Sequence, residues 1–322
     1  MRLFSKKRVL FITLFWICGV VLGQEVPPGV GAAAQYRLGV GARALALGQA
    51  FTALAQGPEC VYWNPGALAE SPRSAGGSQV YPFGGLESLL GIEVQFLGLS
   101  LPTKPVGFGL GWLNAVVRDI PYTDESGIIG YFNYDSSLFL LGGGIKIDLG
   151  EDLLGGFGAT LKIYREQMLE GSAMGFGLDL GLKLDFGQWS IAYVSQDFLG
   201  TRYRWQGTAG EPEVEVPWVH RLGVAASWLE ETLTTSAEVV WEMPALWSFR
   251  AGCEWRVKGF LSLRVGMRLE PLPQGWWPVW SAGLGVSWGF FALDAALALR
   301  AIPAAESDTP TNVYVFSLAV NF

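Results

Sequence analysis

Along most of the chain, apolar and polar positions alternate one by one. Met174, Phe176, Leu178, Leu180, Leu182 and Leu184 fall on one side of the pattern; Gly175, Gly177, Asp179, Gly181, Lys183 and Asp185 fall on the other. Phe157, Ala159, Leu161 and Ile163 oppose Gly158, Thr160, Lys162 and Tyr164, and Trp280, Ala282, Leu284, Val286 and Trp288 oppose Ser281, Gly283, Gly285, Ser287 and Gly289. A period of two is that of a β-strand, whose successive side chains point to opposite faces. Turn clusters cut the pattern into segments at 74–81, 90–101, 105–117, 136–148, 156–168, 173–185, 188–197, 217–228, 233–242, 247–257, 260–270, 279–288, 290–299 and 313–322. That is about fourteen strands, and an even number lets both chain ends return to one side of a closed barrel.

The two faces differ in kind. One carries bulky apolar side chains, the other Gly, Ser and isolated charges. A β-sandwich would turn its polar face to water, whereas here the small, polar face suits a narrow lumen and the bulky one suits lipid. Trp189, Trp218, Trp228, Trp241, Trp247, Trp255, Trp280 and Trp288 sit near segment ends, as interfacial girdles do. Short gaps follow residues 101, 185, 228, 257 and 288, while longer ones are expected at 118–135, 198–216, 271–278 and 300–312. Composition agrees: half of the 322 residues are apolar and 16% are charged, against about 25% charged in a soluble domain. After residue 22 no apolar run approaches the roughly 20 residues of a membrane helix. The fold class is therefore an all-β, transmembrane antiparallel barrel.

The first 23 residues read as a signal peptide. Arg2, Lys6, Lys7 and Arg8 precede an apolar stretch at 9–22, with cleavage expected before Gln24. Cys18 offers a lipidated alternative, but Phe15-Trp16-Ile17 lacks the small residues of a lipobox. Removing the signal takes four of 22 basic residues and no acidic one, which leaves 18 against 29 and a net charge of −11. So acidic a chain argues against nucleic acid as a partner. Cys60 and Cys253 remain, either paired or free. The single histidine, His220, cannot build a multi-histidine metal site. A serine triad would have to use it, and no Gly-x-Ser-x-Gly elbow is present. Neither catalysis, nor a metal, nor a cofactor is expected.

Placing the bulky face toward lipid puts Glu238, Glu242, Arg250, Glu254, Arg256, Arg264, Arg268 and Asp294 inside, on consecutive strands. A charge facing lipid at the midplane would cost about 2–4 kcal/mol, and opposite charges can pair across a ladder. An ion-pair network filling the lumen is expected ahead of a polar substrate path. Residues 24–72 show no sustained alternation. They contain Gly39 to Ala55, with Arg43, Gly48 and Phe51, and then Val61-Tyr62-Trp63-Asn64-Pro65-Gly66-Ala67-Leu68-Ala69. Asn before Pro starts a turn, and a compact Gly/Ala-rich segment ahead of a barrel is suited to fold inside it as a plug. The chain thus divides into a signal at 1–23, a plug at 24–72 and a barrel at 73–322.

These blocks resemble the PorV/PorQ-type proteins of the wider FadL-like outer-membrane group. The usual Asn-Pro-Ala-Gly-Leu appears as Asn64-Pro65-Gly66-Ala67-Leu68, and Leu47-Gly48-Gln49 stands where a Gly-Gly pair is typical. Tyr134-Asp135, Ile163-Tyr164-Arg165-Glu166 and Gly175-Phe176-Gly177-Leu178-Asp179-Leu180-Gly181 also match, so the likeness spans the mature chain and is strongest at 39–70 and 131–185. The alternating end, Tyr314, Phe316, Leu318, Val320 and terminal Phe322, looks like the signal read by the barrel-assembly machinery. The resemblance implies a fourteen-stranded barrel in the bacterial outer membrane with an N-terminal hatch and lipid around it. Its partner would be a hydrophobic small molecule taken up passively. The alternative is a PorV-like role, as a secretion-system subunit handling exported proteins.

Overall fold

The computed structural model describes residues 33–82, 92–150, 153–208, 210–243, 246–272, 275–300 and 312–322; the signal peptide expected at 1–23 lies outside them. Seven strands rise and fall in order: β1 Ser74–Tyr81, β2 Ile92–Thr103, β3 Val106–Asp124, β4 Gly127–Gly150, β5 Leu153–Met168, β6 Gly171–Phe186 and β7 Trp189–Gln196. A short hairpin, β8 Thr201–Gln206 and β9 Glu213–Val216, interrupts them. Seven more follow: β10 Val219–Trp228, β11 Leu233–Glu242, β12 Leu246–Val257, β13 Leu261–Leu272, β14 Gly275–Trp288, β15 Phe291–Arg300 and β16 Val313–Asn321. All pairings are antiparallel, and most join sequence neighbours; β7 pairs with β10 across the hairpin, and β8 of the hairpin pairs with β6. The last strand pairs with the first, Ser74 opposite Asn321, and fourteen strands close a barrel.

Closure leaves no open edge, which is the only way a sheet can satisfy its backbone in lipid. The start of β1 and the end of β16 share one rim, where the Phe322 amide donates to the Arg73 carbonyl at 3.0 Å. This lower rim also holds tight turns. At two of them Gly259 and Gly289 take φ of 74° and 60°, a region favouring glycine. The opposite, upper rim carries the short β3–β4 and β5–β6 turns and the long β7–β10 connection that contains the hairpin.

The outer face is the bulky one: Met174, Phe176, Val265 and Leu284 are each more than half exposed. Aromatic pairs mark both rims, Trp189 against Trp228 below (5.5 Å between centroids) and Trp241 on Trp247 above (5.2 Å). His220 belongs to the upper belt, hydrogen-bonded to the Tyr193 hydroxyl at 2.7 Å and packed on Trp218 and Trp241.

Three loop expectations need correction. Residues 118–135 are mostly not a loop: β3 and β4 continue as a ladder to Asp124 and Gly127, through register shifts at 117–120 and 122–123 that break the alternation. Within 198–216 the β8–β9 hairpin folds against the upper end of β6, with Ala173 opposite Trp205. The 271–278 gap is likewise narrower, since β13 runs to Leu272 and β14 begins at Gly275. Both cysteines are free thiols, Cys60 buried in the hatch and Cys253 on the outer face of β12.

Residues 33–72 lie inside the barrel. They form a 3₁₀ turn at Ala34–Leu38, the helix α1 at Ala42–Ala46, the helix α2 at Cys60–Trp63 and a 3₁₀ turn at Pro65–Ala67. The core of the molecule is the seam between this hatch and the wall, where Phe51, Val61, Trp63 and Leu68 pack with Phe96, Leu113, Leu138 and Leu140. The small lumen face makes the seam possible. A Cβ at Gly144 would stand 2.5 Å from the Pro65 carbonyl oxygen, and one at Gly252 2.6 Å from that of Leu47. Real Cβ atoms do not approach so closely, so these wall positions hold glycine because hatch backbone lies on them.

Candidate functional site

The expected hatch motif and the expected lumen charges meet each other. Arg43 on α1 grips Glu254 of β12 with both arms of its guanidinium, Nε to Oε2 at 2.8 Å and Nη2 to Oε1 at 2.9 Å. Arg264 of β13 donates to the same carboxylate at 2.6 Å and to Asp294 of β15 at 2.5 Å, while half-exposed Arg256 stands 3.8 Å away. Higher in the lumen, Glu238 of β11 accepts from the Phe51 and Thr52 amides at 3.0 and 2.9 Å and from Arg221 of β10 at 2.9 Å. Glu242 holds Arg37 at 2.5 Å, and Arg268 pairs with Glu270 at 2.6 Å. Arg250 is the exception, 3.8 Å from Glu238 and 3.4 Å from the Gln49 carbonyl. Charge-assisted, bidentate contacts of this kind are the strongest polar ones.

The Asn64-Pro65 turn is the second anchor. The Asn64 side chain is fully buried. Its Nδ2 donates to the carbonyls of Thr52 and Leu182, both at 3.1 Å, and its Oδ1 accepts from the Gly66 amide at 2.9 Å. It therefore ties two hatch segments to each other and to β6. Trp63 donates to the Val40 carbonyl at 2.9 Å, meets Phe51 edge-on and lies under the Arg221 guanidinium, 5.0 Å from its ring centre. Gly48 takes φ of 64°, and a Cβ there would meet the Met267 backbone at 2.6 Å. Gly66 is pressed between the carbonyls of Gly181 and Gly156.

A third cluster was not singled out in advance. Lys162 of β5 lies 2.9 Å from Asp179 of β6 and 2.8 Å from Asp197, which also accepts from the Tyr164 and Thr201 hydroxyls at 2.8 and 2.9 Å. Lys162 and Asp179 fall on the polar face of the alternation, and Asp197, the last residue of the segment expected at 188–197, lies one residue past the end of β7. Just above, Tyr203 of the hairpin donates to Glu166 at 2.8 Å and stacks on Tyr164. The hairpin is thereby latched over the upper lumen.

Two spaces flank the hatch. Below it, a polar cavity of about 270 Å³ is lined by Arg43, Glu59, Glu254, Arg264 and Asp294. Burial, and then the neighbouring Asp294 carboxylate, push the Glu59 carboxyl of the hatch up to about 8, against the pull of Arg43 and Arg264. Above it, a cavity of about 100 Å³ lies between Tyr36, Tyr62, Tyr164, Val240 and Arg250. With the hatch in place the two cavities are separated from each other by its packed segments.

Barrel, hatch and cavities together define a class: transmembrane β-barrels of fourteen strands closed by an internal N-terminal segment. No family model and no curated protein matches the chain. Solved structures do, over 88% of this chain and 98% of theirs: a monoaromatic hydrocarbon channel, CymD (TM-score 0.64, 12% identity), the toluene transporter TbuX of Ralstonia pickettii (0.60, 12%) and a FadL homologue of Pseudomonas aeruginosa (0.58, 12%). At such identities the likeness is one of fold, and the fold is FadL-like.

Proposed function

We propose that this chain is an outer-membrane channel for passive, non-enzymatic uptake of small hydrophobic molecules, with residues 24–72 as its hatch. The observation that carries the reading is how the lumen is closed. The hatch is not a strand of the barrel; side-chain contacts centred on Glu238, Glu254 and Asn64 hold it, so it can shift while the fourteen-strand ladder stays whole. Structures of the same fold that are described as toluene and monoaromatic hydrocarbon channels support the hydrophobic class of cargo. In this reading residues 1–23 direct export, Phe322 is the mark read by the barrel-assembly machinery, and four of the lumen charges, Glu238, Glu242, Arg250 and Glu254, serve as the hatch's holding points, while Arg256, Arg264, Arg268 and Asp294 pair within the wall. Uptake of radiolabelled toluene by cells with and without the gene tests it. Equal uptake, together with no binding of an apolar ligand to the purified protein, would sink it.

The sequence blocks at 39–70 and 131–185, which resemble PorV/PorQ-type proteins, favour a second reading as a secretion-system subunit. That reading predicts stable co-purification with other envelope proteins, and an isolated monomer in mild detergent counts against it.

A further inference from the structure

One row of outward side chains crosses the lipid-facing wall and changes character on the way. It starts at Leu233 beside the lower rim and runs, partner to partner, through Trp255, Leu263, Leu284, Ala295 and Phe316. On the next two strands it continues as Gln79 of β1 and Gln95 of β2, which stand opposite each other. It then passes Asn114 and Ser137 and ends at Arg165, near the upper end of β5. Both glutamines point outward, because their neighbours Ser78, Val80, Val94 and Phe96 are buried on the lumen side. The row slants across the membrane. Neighbouring strands are about 4.8 Å apart, and a tilt of about 40° makes each step climb about 3 Å. Gln79 therefore stands about 18 Å above Leu233 and Gln95 about 21 Å, within an apolar band about 25 Å tall.

Asn114, at the top of that band, is provided for: its amide donates to Ser137 at 3.0 Å and to Asp135 at 3.3 Å. Gln79 and Gln95 have no hydrogen-bond partner among the described residues. Acyl chains cannot supply one, and an amide left alone in hydrocarbon is costly. A glutamine amide carries acceptor and donors together, so an identical amide completes it in both directions. Two copies of this chain in one membrane have the same orientation. A two-fold axis along the membrane normal then sets each residue against residues at its own depth, and glutamine meets glutamine. The surface allows close approach, since the outward positions of β1 below Gln79 are Gly77 and Ala75; small side chains let membrane-spanning segments come together.

We propose that the outer face of β1 and β2 is an interface between two copies of this chain, which pair in the membrane through Gln79 and Gln95. The pairing is independent of what the channel carries. Ala75→Cys, in a Cys253→Ser background, puts a thiol on this face; Val224→Cys puts one on the outer face of β10, halfway around the barrel. Oxidation with copper–phenanthroline in outer membranes is expected to yield a product of twice the chain's mass from position 75, about tenfold more than from position 224. Gln79→Leu combined with Gln95→Leu removes the polar pairs and should lower that yield about tenfold. The heat-modifiable migration of a folded barrel should persist, because leucine suits lipid better than glutamine. Gln79→Leu alone serves should the double variant fail that check. No dimer from position 75, an equal yield from 224, a product of another mass, or a dimer that survives the leucines overturns the proposal. The channel reading stands in each of those cases.

Discussion

Asn64→Ala tests whether the Asn-Pro turn is what holds the hatch. The side chain is fully buried and makes three hydrogen bonds: to the Thr52 carbonyl, to the Leu182 carbonyl and from the Gly66 amide. A net contribution of about 1 kcal/mol for each gives about 3 kcal/mol, roughly a hundredfold in an equilibrium constant. The three bonds do not act on the same event. Those to Thr52 and Gly66 are internal to the hatch, and only the one to Leu182 crosses to the wall. Local opening of residues 52–66 should therefore rise about a hundredfold, while undocking of an intact hatch should rise about fivefold, the equivalent of roughly 1 kcal/mol. Amide hydrogen exchange reads the first, with protection at residues 52–66 falling about a hundredfold while the ladder amides of β4 and β5 stay as they were. Leakage of small solutes from reconstituted vesicles reads the second. Asn64→Asp keeps the acceptor for Gly66 but turns a buried carboxylate oxygen on the Thr52 and Leu182 carbonyls, so it should open residues 52–66 at least as much as alanine does. Unchanged exchange at 52–66 in the alanine variant would refute the anchoring role, however the leakage behaved.

Glu254→Gln strips the carboxylate shared by Arg43 and Arg264; leaving two buried guanidinium groups without it should destabilise by about 3–5 kcal/mol, seen as earlier thermal loss of heat-modifiable migration, and an unchanged midpoint would deny the pair its role. Glu59 supplies a pH dependence. Its folded pKa, about 8, lies above the ordinary 4.5, so its contribution is fully present below about pH 4.5 and is lost as pH rises through 8. Hydrogen exchange in the hatch should accelerate as pH rises from about 4.5 to 8, after correction for intrinsic rates, and level off above that, and Glu59→Gln should flatten the profile; the same slope in both proteins would rule this group out. Replacing the latched hairpin, residues 201–216, by a short Gly-Ser turn should raise single-channel conductance without changing barrel stability, and unaltered conductance would show that the hairpin does not cover the lumen.

The barrel was legible because its information is local. A lipid-facing strand must alternate, and alternation shows in any run such as 174–184 without knowledge of what pairs with it. The same rule put Glu238, Arg250, Glu254 and Asp294 on the inner face. It failed where the period breaks. Register shifts between Val117 and Ile120 disguised the upper reach of β3 and β4 as a loop, and Asp197, past the end of β7, carried no mark of its pairing with Lys162.

From the sequence alone came the class of the chain, the strand count near fourteen, the faces and the segment suited to be a plug. Tertiary structure decided what that segment touches. Arg43 and Glu254 are 211 residues apart, and nothing local to either selects the other; barrel closure and the folding of the hatch within it bring them together. The lumen glycines show the same division. Their small size was plain in the sequence, but the reason for it, backbone of Leu47 and Pro65 lying against the wall, exists only once the hatch is inside.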